Sequence, residues 1–169
     1  MNRQLELTVI AVVAVLDQLT KRLVVAEMEL YDTIPIIPGF LNLTHIRNSG
    51  VAFGLFNTAE FAYKPLVMAG VALLALVGVG LYAMQLPKAH RWARGGLALI
   101  LGGAAGNLLD RARQGYVVDF VDAYWRGWHF WAFNVADAAI SVGVGLLIID
   151  LFRSEASEAP AAIEETRVS

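Results

Sequence analysis

From Pro65 to Leu86 the chain carries no charged residue, and Lys64 and Pro87-Lys88 bracket the run. Twenty-odd apolar residues, rising about 1.5 Å each in a helix, cross the roughly 30 Å hydrocarbon core of a bilayer. The whole chain has 169 residues, of which 57% are hydrophobic and only 17% charged. A soluble globule of that size could not hide so much apolar surface, because small domains are mostly surface. The same balance excludes a disordered chain. The absence of cysteine excludes a disulfide-stapled secreted module. A net charge of −2 speaks against nucleic acid as a partner, which would call for a basic patch. A small integral membrane protein remains.

Three further runs fit that class. Residues 5–25 form one, interrupted by Asp17 and Lys21; 92–111 form another, ending at Asp110-Arg111; 133–152 form the last, with Asn134 and Asp137 near its start. The fold class expected is an all-α membrane protein with four transmembrane helices, at about 5–25, 65–86, 92–111 and 133–152. Outer segments of about 27–63 and 113–132 join them. Residues 1–153 make a single membrane domain, and the Glu-, Ala- and Ser-rich stretch 154–169 is expected to be a disordered cytoplasmic tail. Arg3 and Leu7–Leu16 have the look of a signal peptide, but no small-residue cleavage site follows, so the first helix is expected to stay. Asp17 and Lys21 stand four apart on one helix face, which suggests an ion pair with Lys21 snorkelling outward.

Four spans put both termini on one side together with the short loop that holds Lys88, Arg91 and Arg94 and no acid. Cytoplasmic loops carry the excess of Lys and Arg, so that side is expected to be cytoplasmic. In the first outer segment Phe40–Ile46 alternates roughly polar and apolar, which predicts a strand and a small extracytoplasmic β-sheet. In the second, Tyr116, Tyr124, Trp125, Trp128, Phe130 and Trp131 crowd together as an interfacial aromatic segment, with a short helix in the interface plane as one form it can take.

The chain lacks a cysteine nucleophile, a His/Cys metal cluster, a phosphate-binding glycine loop and a G-x-S-x-G turn, so no metal and no cofactor is expected. His45, His90 and His129 are scattered. What stands out is acid at membrane depth, where an ionisable group costs several kcal/mol and by default marks function. Asp137 lies one turn into the last span among small residues, with Asn134 three positions earlier on the same face. Asp119 is flanked by Val117, Val118 and Phe120 near the same interface. Asp122 has Arg126 four residues on and is assigned a structural ion pair. Asp119 and Asp137, if they meet, suit an aspartic-protease dyad, in which one carboxylate activates water and its protonated partner donates to the scissile carbonyl.

Five stretches follow one another from residue 17 to about 140. They are Asp17-Gln18-x-x-Lys21, Asn48-Ser49-Gly50-Val51-Ala52-Phe53, the glycine-rich run Gly102–Arg111, Val117-Val118-Asp119-Phe120 and Phe133-Asn134-Val135-Ala136-Asp137. In this order, on a four-span scaffold, the chain resembles the type II, or prolipoprotein, signal peptidase family of bacteria. That resemblance implies an intramembrane aspartic endopeptidase with Asp119 and Asp137 as its catalytic pair. It implies a diacylglyceryl-modified prolipoprotein as substrate, cut just before the lipidated cysteine. By the same match Asn48, Asn107, Asp110, Arg111 and Asn134 would bind substrate or brace the site. Asn48 and Asn134 are assigned to the substrate backbone or to orienting an aspartate. Arg111 is assigned to bracing Asp110 or meeting the lipid phosphate region. The enzyme is expected to be a monomer in the bacterial inner membrane, among membrane lipids, with its site toward the periplasmic face. A four-span proton-coupled transporter is the alternative. It is disfavoured because no repeat symmetry is visible and the acids gather at one interface.

Overall fold

The computed structural model describes residues 1–50, 61 and 63–165, with side chains as far as Arg153. Val51, Ala52 and Phe53 of the second matching stretch lie outside the described residues.

Four helices form where the apolar runs stand. The first, α1 (Arg3–Glu27), begins at Asn2, whose side-chain oxygen accepts from the Leu5 N–H at 2.8 Å. This cap satisfies one of the donors a helix start leaves open. Next come α2 (Lys64–Gln85), with Pro65 in its first turn, and α3 (Arg91–Gln114). The last helix, α4, runs Val135–Glu165. Its backbone stays helical beyond Ser154, where composition predicted disorder; alanine and glutamate are strong helix formers. Two segments, Lys64–Gln85 and Val135–Arg153, are long and apolar enough to cross a membrane.

Burial runs opposite to that of a soluble protein. Leu66, Leu74 and Met84 of α2 are more than two-thirds exposed, whereas Asp17 and Asn134 are at most 1% exposed. Polar side chains turned into a bundle and apolar ones turned out are what a hydrocarbon solvent selects. Helix α3 is the central element, packed by α1, α2 and α4. Its Gly106 faces α1 so closely that a Cβ there would sit 2.5 Å from Asp17 Oδ2. Any larger residue would have to push the Asp17 carboxylate from its place in the bundle. At the far end Arg94 holds both Glu6 oxygens, at 2.6 and 2.7 Å, tying the start of α1 to α3. Arg94 thus belongs to α3 and is neutralised, rather than being a free loop cation.

The outer segments pair with each other. Strands β1 (Thr33–Ile37), β2 (Leu41–Asn48), β3 (Val117–Trp125) and β4 (Trp128–His129) form one antiparallel sheet in that order. The expected strand is β2. The aromatic segment is a hairpin, and no helix in the interface plane forms there. Val117–Tyr124 is rich in β-branched and aromatic residues, which suit a half-buried pleated surface, and β2 supplies the partner edge. Arg126 and Gly127, both at positive φ, close the hairpin in two residues. Val118 and Phe120 pack on Val24 of α1 and on Met28 just after it, and this apolar contact seats the sheet on the end of the bundle.

Candidate active site

Asp119 leaves β3 opposite Ile46 of β2, and it is 2% exposed. Its Oδ2 accepts from Asn48 Nδ2 at 3.0 Å, and its Oδ1 accepts from Asn134 Nδ2 at 2.7 Å. Asn134 precedes α4 and caps it: its Oδ1 accepts from the Asp137 N–H at 3.0 Å, while Asp137 Oδ2 accepts from the Asn134 N–H at 3.3 Å. One asparagine therefore touches both acids. The other Asp137 oxygen accepts from Asn107 Nδ2 at 2.8 Å.

Behind this pair lies a buried ion cluster. Lys21, 2% exposed, points inward, and its Nζ spends its three protons at 2.8 Å each on Asp17 Oδ2, Asp110 Oδ2 and Asn107 Oδ1. The ion pair with Asp17 is as expected, but the outward snorkelling is not. Two buried carboxylates and an amide oxygen satisfy an ammonium better than a distant interface does. Lys21 also sets the Asn107 amide. With Oδ1 accepting from the ammonium, only Nδ2 is left to face Asp137. Asp17 further accepts from the Ala136 N–H at 3.0 Å, at the start of α4, where backbone N–H groups favour an anion. Gln18 Nε2 donates to Asp110 Oδ1 at 2.8 Å.

Arg111 makes no direct hydrogen bond to Asp110 among the described residues. Its Nη2 donates to the Gly50 carbonyl at 2.8 Å, just past Asn48, and the guanidinium stays in electrostatic reach of Asp137, Asp119 and Asp110. Asp122 does not pair with Arg126 either. A strand puts i and i+4 far apart, so Asp122 meets Asn42 Nδ2 at 2.9 Å and His129 Nδ1 at 2.9 Å. Arg126 lies 6.0 Å over the Trp125 ring instead.

Burial, then the negative charge of Asp137, pushes the Asp119 carboxyl up to about 7; the Asn48 and Asn134 hydrogen bonds and the Lys21 charge oppose the shift only in part. A carboxyl poised there can hold or release a proton near neutral pH, which suits general acid–base chemistry. Of the residues expected from sequence, Asn48, Asn107, Asn134, Asp119 and Asp137 come together in one network, with Asp110 one step behind and Arg111 against the backbone that follows Asn48. Lys21, Asp17 and Gln18 join them, where only a local ion pair was expected. The signal was present, since a lysine inside an apolar span needs more than one anion.

A helical body with its polar groups turned inward and a small sheet over one end is the architecture of a bacterial membrane enzyme. Two solved structures so described, determined by the in meso method at 2.3 and 1.9 Å resolution, superpose with TM-scores of 0.81 and 0.79 at 29% identity. The first covers 92% of both chains, and the second 88% of this chain and 93% of its own. The family model for signal peptidase (SPase) II matches residues 9–153. The lipoprotein signal peptidase of Geobacter metallireducens is 45% identical over 147 residues, 87% of this chain and 90% of that one. The lipoprotein signal peptidase of Actinobacillus succinogenes is 46% identical over 145 residues, 85% of this chain and 87% of that one. The chain belongs to the signal peptidase II family, whose members are membrane proteases. The transporter alternative falls with that assignment.

Proposed function

We propose that the chain is an intramembrane aspartic endopeptidase that removes the signal peptide of diacylglyceryl-modified prolipoproteins just before the lipidated cysteine. The observation that carries this is the pair Asp119–Asp137, bridged by Asn134. Asp119 holds the proton the pair shares. It donates that proton to the scissile carbonyl oxygen while Asp137 takes one from the attacking water. The tetrahedral diol then collapses: one of its hydroxyls returns a proton to Asp119 while the proton on Asp137 passes to the departing cysteine nitrogen. The carbonyl–nitrogen bond breaks, water supplies the new carboxyl oxygen, and the pair regains its starting proton count.

In this scheme Asn134 and Asn107 hold Asp137, Asn48 and Asn134 hold Asp119, and Arg111 fixes the backbone at Gly50 where substrate would pass. Residues 1–153 act as one membrane domain crossed by all four helices. Both termini lie in the cytoplasm, and the sheet and carboxylates lie at the periplasmic face. Lys88 between α2 and α3, and Arg91 at the start of α3, support that orientation. The substrate's acyl chains would anchor its cysteine at the depth of the carboxylates.

The test is processing of a lipidated prolipoprotein by purified wild type, Asp119→Asn and Asp137→Asn. Near-complete loss in both folded variants is expected, and full activity in either removes that aspartate from the mechanism. The same peptide without its diacylglyceryl group should be cut poorly; equal cutting would deny the lipid a role in recognition.

A further inference from the structure

A groove of about 470 Å³ runs between α1 and α3. Ala14, Val15 and Leu19 line it from α1, and Ala105, Gly106 and Leu109 line it from α3. The two helices lie parallel and in register, since Gly102 faces Val13, Gly106 faces Asp17, and Lys21 reaches Asp110. Each stripe ends in an arginine at the same spacing: Arg22 lies eight residues after Ala14, and Arg113 eight after Ala105. Both arginines are exposed, and neither has a hydrogen bond or ion pair among the described residues. They sit at the end of the bundle that holds the carboxylates, for Arg22 adjoins Lys21 and Arg113 follows Arg111.

We propose that this groove is a phospholipid site, with the phosphate between Arg22 and Arg113 and one acyl chain along the small-residue floor. Two unpaired guanidiniums at the rim of an apolar slot complement a ligand with one anionic end and a hydrocarbon body. Guanidinium is the side chain best matched to phosphate oxygens. A phospholipid joins both features in one molecule and is the solvent of a membrane protein. Gln18 forms part of the groove wall, and its amide is turned inward, onto Gly106 O at 3.3 Å and Asp110 Oδ1 at 2.8 Å. A chain seated there covers the Asp17–Lys21–Asp110 cluster on its groove side. The site is separate from the carboxylate pair and takes lipid as a structural ligand.

Native mass spectrometry of the full chain in neutral detergent tests this with three probes. Dioleoylphosphatidylglycerol has phosphate and chains, dioleoylglycerol has the chains alone, and glycerol 3-phosphate has the phosphate alone. The phospholipid should bind about tenfold or more tighter than dioleoylglycerol, since each arginine near a lipid surface adds a favourable charge contact. Arg22→Gln/Arg113→Gln should abolish that margin, Arg22→Lys/Arg113→Lys should keep most of it, and Ala14→Leu should weaken phospholipid binding by filling the slot. Equal phospholipid binding by wild type and the glutamine variant overturns the proposal. So does dioleoylglycerol binding as tightly as the phospholipid, which would make the groove a slot for any apolar segment. Tight binding of glycerol 3-phosphate alone would overturn it too, by making the site one for free phosphate esters. All three variants change exposed or half-buried positions outside the polar network, so retained processing activity reports that they are folded.

Discussion

Asn134 and Asp137 cap one another: each side chain accepts the other's backbone N–H, at 3.0 and 3.3 Å, across the first turn of α4. This reciprocal arrangement is a capping box with Asn and Asp in place of the commoner Ser and Glu. It fixes the Asp137 rotamer while leaving Asn134 Nδ2 free to reach Asp119 at 2.7 Å. Helix stability and the geometry of the carboxylate pair thus rest on the same residue.

The two roles of Asn134 separate in Asn134→Ser. Serine is a good N-cap, so the helix start should be kept, and the loss of the amide contacts to Val118 O and Asp119 should cost about 1–3 kcal/mol. It lacks the amide that reaches Asp119, and a loss of about a hundredfold in kcat is expected from the misplaced acid. Melting temperature and processing rate are read on the same preparation. Unchanged processing with a folded protein would show that Asn134 only caps the helix.

Lys21 is the sole counter-ion that Asp17 and Asp110 share among the described residues. Lys21→Met leaves both carboxylates buried without it, at a cost of about 3–5 kcal/mol. It also leaves the Asn107 amide oxygen with only the longer contact from Asn134 Nδ2, at 3.3 Å, to orient it. We expect a large fall in melting temperature, with activity lost even where the variant can be purified. A Lys21→Met protein as stable as wild type would mean that the cluster contributes little.

The pH dependence follows from Asp119. Its carboxyl titrates near 7 in the fold, against about 3.9 in an unfolded chain. Between those values the folded state holds a proton that the unfolded state has released, so stability falls as pH rises from about 4 to 7, by roughly 4 kcal/mol, and then levels. Melting temperature in detergent should trace that fall, and Asp119→Asn should flatten it. Processing, which needs the protonated acid, should decline above about pH 7. Identical pH slopes in wild type and Asp119→Asn would assign the titration to another group.

The seam between α3 and α4 depends on Gly143. A Cβ there would meet Gly96 O at 2.5 Å and Ile100 Cγ1 at 2.7 Å, whereas one at Gly145, half a turn on, meets nothing within 4 Å. Gly143→Ala should cost about 1–3 kcal/mol by forcing the helices apart. Gly145→Ala should be neutral or slightly stabilising, because alanine is the better helix former. Equal melting temperatures for the two variants would refute the close packing.

The four helices were legible because a 20-residue apolar run has few other uses, and β2 was legible from its alternation. The aromatic segment was not. Tyr, Trp and Val suit a membrane interface and a strand equally well, and only pairing with β2 decides between them. Asp119 and Asp137 stood out by chemistry alone, as acids among apolar neighbours. Arg126 as the partner of Asp122 was a helix rule applied to what proved to be a strand. The depth of Lys21 was hidden because its partners Asn107 and Asp110 lie 86 and 89 positions away.

Sequence by itself determined the solvent, the helix positions and the family, since each is written in local composition or in short stretches in order. Only the tertiary structure decided how the charges divide: Lys21 with Asp17 and Asp110, Arg111 with Gly50, and Asn134 between two carboxyls. The reason is that a buried charge is satisfied by whatever the fold brings within 3 Å. In this bundle those partners come from α1, α3, the residues that follow β2, β3 and the start of α4, elements that no local pattern places side by side.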